Sequence, residues 1–88
     1  MQTLSLSSSV RFRTIDGDGI VVQMDSSRVI VVNDVGLHII EKLATPIAHN
    51  ELLTSISEEF DVSVEQANVD LKIYLKALDQ EQILVQSA

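Results

Sequence analysis

The sequence predicts an α+β fold, a three-stranded antiparallel meander followed by three α-helices. Three observations carry that prediction. Up to Val32 the apolar residues fall in short alternating or β-branched runs, and from Asp34 onward they recur at helical spacing. Asp16-Gly17-Asp18-Gly19 and Asp25-Ser26-Ser27 separate the early runs with tight-turn residues. Pro46 and Ser63 then divide the second half into helix-sized pieces.

The strands come first. Met1 to Ser9 is polar and Ser-rich, with Leu4 and Leu6 alternating, and is expected to be a flexible N-terminal arm that can pair loosely as a strand, ahead of a domain spanning residues 10–88. Val10 and Phe12 alternate with Arg11 and Arg13, the pattern of a half-buried strand from Val10 to Ile15. The Asp-Gly repeat supplies the positive φ of a primed hairpin turn, and Ile20 to Met24 is the second strand. Arg28 to Val32 is the third. Its unbroken β-branched run is the composition of a strand covered on both faces. Short connections between successive strands make the meander antiparallel.

At Asn33 the chain changes period. Asn33 can cap a helix that runs from Asp34 to Ala44 and ends before Thr45-Pro46. A second helix, from His49 to Phe60, places Leu52, Leu53, Ile56 and Phe60 on one face, with Ala48 at a poorly capped entry. Ser63 and Gln66 have the spacing of a capping box for a third helix, which runs to about Gln80. Val64, Ala67, Leu71, Leu75 and Leu78, with Tyr74 beside them, form its core stripe. Val69 and Ile73 lie off that stripe beside Lys72 and Lys76, either as stray aliphatics on a solvated face or as one wall of a groove. Ile83-Leu84-Val85 closes the chain as a short strand or a packed tail.

Composition removes several classes of function. Six Lys and Arg residues face thirteen Asp and Glu, a net charge of −7 that disfavours nucleic acid and anionic lipid. The chain has no cysteine, and its two histidines, His38 and His49, lie on different predicted helices, so no metal-ligand set converges. Asp34 and His38 are spaced as a surface pair on one helix. Glu58, Glu59 and Asp61 cluster at a helix end, where they are solvated, and no serine has a histidine placed to activate it. No stretch has the basic n-region of a signal peptide or the length of a membrane span, so the expected location is cytoplasmic. The expected chain is not an enzyme and has no cofactor. A protein or peptide partner, or a small molecule, remains.

The run VIVVNDVGLHIIEKL, then PIAHNELLTSISEEF, then DVSVEQANVDLKIYLKALDQEQILV, resembles the PqqD-like family. These small domains recognise the leader peptides of ribosomally made, modified peptide natural products. The resemblance covers about Val10 to Val85, and the stand-alone format is similar to the recognition proteins of lasso-peptide pathways. It implies a winged-helix-like fold in which the leader adds as a strand beside the third strand. The implied strand wall is Arg28, Val29, Ile30, Val31 and Val32, and the implied helix wall is Val69, Ile73 and Lys76. The implied partners are the precursor leader and a downstream modifying enzyme such as a leader peptidase or cyclase. Two other readings compete, a DNA-binding winged helix and a non-catalytic subunit that docks on an enzyme through the same strand. Asp70 and Asp79 on the third helix count against DNA.

Overall fold

The computed structural model describes residues 2–87; Met1 of the expected arm and Ala88 of the expected domain lie outside them. The elements are β1 (Thr3–Leu6), β2 (Val10–Ile15), β3 (Asp18–Gln23), β4 (Arg28–Val32), α1 (Asp34–Leu43), β5 (Ile47–Ala48), α2 (His49–Glu59), α3 (Val64–Gln80) and β6 (Leu84–Ser87). The expected meander and three helices are present. The meander is an antiparallel sheet in the order β2-β3-β4. Its first turn is the two-residue loop Asp16-Gly17, with φ of +48° and +86°, the positive values that a primed turn needs.

The N-terminal arm pairs as a strand. Its residues Thr3 to Leu6 form the middle strand of a second sheet, β5-β1-β6, and Leu4 is only 2% exposed. Burial of Leu4 and pairing on both sides order a segment whose composition is that of a mobile tail. Ile83-Leu84-Val85 enters the same sheet, with Leu84 opposite Leu6.

Helix α1 lies at the centre and packs against β1, β3, β4 and α2. Ile39, Ile40 and Leu43 from α1 meet Leu52 and Ile56 from α2 and Leu71 and Leu78 from α3, all fully buried. The helix ends follow the caps. The Asn33 side chain accepts from the Gly36 amide, and the Ser63 side chain accepts from the Gln66 amide. Gln66 does not complete the capping box; its side-chain amide turns forward to Asp70 at 3.0 Å. Ala48 makes no side-chain cap, as expected.

One polar residue is sealed in the core. Gln23 donates to the Gln82 carbonyl at 2.6 Å and accepts from the Asp25 amide at 2.9 Å. Both ends of its amide are therefore satisfied, which offsets the cost of burying it. The bond holds the β3–β4 hairpin against the corner between α3 and β6.

The cover of the β4 strand is a correction. Its inner side chains, Ile30 and Val32, are half-buried and buried, but Val29 and Val31 are 60% and 72% exposed. A β-branched run predicts cover on both faces, and the described residues supply cover on one.

Candidate functional site

The strand at one margin of the meander, β4, pairs with β3 along one side only. Which of its main-chain groups face outward follows from the register. The Met24 amide donates to the Ser9 carbonyl at 2.8 Å, so Met24 points toward the β2 side. Successive backbone groups alternate, so Ile20 and Val22 also face β2, while Gly19, Val21 and Gln23 face β4. Opposite those three stand Val32, Ile30 and Arg28. These bond to β3, and the amides and carbonyls of Val29 and Val31 are left on the open edge. An extended peptide laid there finds two residues' worth of unpaired donors and acceptors.

The second wall is α3, which two side-chain contacts tie to β4. At one end Arg28 Nη2 donates to Glu81 Oε1 at 2.9 Å. At the other, the Tyr74 hydroxyl donates to Asn33 Oδ1, the same oxygen that accepts from the Gly36 amide at 3.0 Å. Burial pushes the Tyr74 phenol above its usual range; the bond to Asn33 opposes the shift, and Asp34 and Asp70 add to it. The hydroxyl therefore stays protonated, and stays a donor, at neutral pH. Gly36 lets strand, helix and ring approach: a Cβ there would lie 2.7 Å from Val32 Cβ and 2.9 Å from the Tyr74 ring.

With Tyr74 directed at β4, the neighbouring faces of α3 follow at about 100° per residue. Asp70, Ala77 and then Ile73 lie on the flank beside the β4 edge; Ala77 and Ile73 are exposed, Ile73 by 64%, and Asp70 accepts from the Gln66 side-chain amide. Val69 and Lys76, also exposed, lie further round toward solvent. Of the strand residues, Val32 is buried and serves the core, Ile30 is half-buried, and Arg28 is engaged with Glu81. Val29 and Val31 offer main chain to the edge and direct their side chains to the outer sheet face. The sequence reading placed Tyr74 beside the core stripe without its bond to Asn33, and passed over Ala77, which is too small to stand out in any pattern. A polar depression of about 280 Å³, lined by Ser26, Arg28, Gln80, Glu81 and Gln82, sits at the Arg28 end.

Elsewhere the side chains show structure rather than chemistry. His38 does not pair with Asp34, whose carboxylate accepts from the Val35 amide. It bonds Ser55 Oγ at 2.7 Å and packs edge-on against Phe60. Burial, with Lys42 adding, lowers its pKa; Glu59 and Glu41 act the other way. No group of three potential metal ligands is found among the described residues, nor a helix long and apolar enough to cross a membrane.

The profile of the family described as Coenzyme PQQ synthesis protein D (PqqD) matches residues 18–84, from the second meander strand to the start of β6. No curated protein matches the chain. Among solved structures, one described as TbiB1 in complex with the TbiA(beta) leader peptide superposes with a TM-score of 0.79. It is 22% identical, and the alignment covers 90% of this chain and 93% of that one.

Proposed function

The chain belongs to the PqqD family, and from that membership we propose that it binds the leader segment of a ribosomally made precursor peptide and presents it to modifying enzymes. The leader adds as a strand to β4, antiparallel or parallel, and rests against Ile73 and its neighbours on α3. The chain acts as a recognition unit without catalysis of its own, and its format suits a lasso-peptide pathway. The observation that carries this reading is the open β4 edge, with the Val29 and Val31 backbone groups unpaired among the described residues beside exposed Ile73 on α3. An exposed strand edge invites pairing, and strand addition satisfies its hydrogen bonds while neighbouring pockets select alternate side chains. The fold shared with TbiB1, whose structure holds a leader peptide, is consistent with it.

Fluorescence polarisation with a labelled synthetic leader tests the proposal. The expected result is a saturable isotherm that Ile73→Glu weakens by about 1–3 kcal/mol, because a carboxylate then faces an apolar ligand. Circular dichroism of that variant should be unchanged, since Ile73 is exposed in the free chain. A flat leader titration, or saturable binding of random duplex DNA instead, sinks the reading.

A further inference from the structure

The meander has an outer face that none of the described residues covers. Reading across the strands, Arg13, Ile20 and Val31 form one row, and Arg11, Val22 and Val29 form the next. Exposed Ile15 and Met24 extend the apolar surface at either end. The charge of this face is opposite to that of the whole chain. It carries two of the three arginines, and Asp18, at the hairpin end, is the acid in its rows. Arg11 bonds the main-chain carbonyls of Ser8 and Val10, and the ion pair found among the described residues belongs to Arg28. The result is an aliphatic surface rimmed on its β2 side by guanidinium groups without carboxylate partners. Contiguous exposed apolar surface bordered by charge marks a place of association.

We propose that this outer sheet face docks the enzyme that acts on the bound peptide, through an aliphatic patch bordered by carboxylates on that enzyme. The identity of the partner rests on the peptide-binding reading above. Charge complementarity selects its chemistry. Two arginines on a chain of net charge −7 are too few to hold a nucleic acid or an anionic bilayer. A second copy of the chain would present the same two arginines and a lone Asp18, so it lacks the carboxylates the rim calls for. Position strengthens the argument. A strand added at β4 continues both rows, so alternate side chains of the seated peptide lie on this same face. The docking surface is therefore larger when the peptide is in place, and the enzyme binds the loaded chain more tightly than the empty one.

The experiment titrates the purified enzyme that processes the same precursor into this chain, with and without synthetic leader, by calorimetry. Two variants report on the face: Arg11→Glu with Arg13→Glu, and Val22→Glu, whose new carboxylate lies across the strands from Arg11 and can pair with it. Both should keep the wild-type melting profile and hold leader affinity within about twofold, because neither lies at the β4 edge. Each should weaken enzyme binding by about tenfold or more. Wild-type enzyme affinity in either folded variant overturns the proposal. So does loss, in these variants, of self-association by sedimentation or of binding to phosphatidylserine–phosphatidylcholine vesicles, which would assign the face to another occupant. Failure of the peptide reading looks different: the leader does not bind the wild-type chain, yet enzyme docking remains and responds to both variants.

Discussion

A single side-chain oxygen, Asn33 Oδ1, serves two structures at once. It caps α1 through the Gly36 amide and holds α3 to β4 through the Tyr74 hydroxyl. The loss of an N-cap costs about 0.5–2 kcal/mol, and the loss of a hydrogen bond about 0.5–1.5 kcal/mol. Asn33→Ala should therefore destabilise more than Tyr74→Phe, because it removes both bonds. The two should also be non-additive: Tyr74→Phe costs little in the Asn33→Ala background, since its acceptor is already gone. Urea unfolding of the two single variants and the double variant measures the coupling. Strict additivity would mean that the two side chains do not share the bond. Unchanged stability of Asn33→Ala with collapsed leader affinity would move Asn33 from scaffold to ligand contact. The cap was legible in the sequence, because Asn before a helical period has one common use. Its second duty was not, since Tyr74 is 41 positions away and nothing local links them.

At the scale of the element, β4 is where prediction and structure diverge most usefully. The run Val29–Val32 was legible as a strand because β-branched residues suit a pleated surface. Its exposure was not, because composition reports how apolar a strand is and not how much partner the chain has left to cover it. The paired register now distinguishes two substitutions that the sequence alone left symmetric. Ile30 lies opposite Val21 and bonds to β3, whereas the Val31 amide faces the open edge. Proline removes the donor and is tolerated only where that donor meets solvent. Val31→Pro should fold and lose leader binding, while Ile30→Pro should break the meander and unfold. Thermal melts paired with polarisation titrations decide it. A folded Val31→Pro chain with wild-type leader affinity would place the peptide elsewhere.

Over the whole molecule, the meander and helices follow patterns of period two and 3.6 that lie within short windows, and they were readable for that reason. The second sheet was not readable. It joins four residues near the start, two after Pro46 and four near the end, and each is too short to carry a period. What holds it is packing, and Leu4 is its buried anchor. Leu4→Ala should cost about 2–5 kcal/mol, as large-to-small core changes do, a large fraction of the stability of a domain this size. Chemical denaturation measures it; a loss below about 0.5 kcal/mol, the usual limit for surface changes, would mean that the first strand is a loose tail after all. The same sheet sets Thr3 opposite Ser87 on adjacent antiparallel strands. The first and last strands thus run side by side, and chain entering the domain and chain leaving it part at one place. The fold can be spliced into a surface loop of a host protein with little stretching of either, and joining its ends through a short bridge while opening it at Asp16-Gly17 would yield a circular permutant that keeps both sheets.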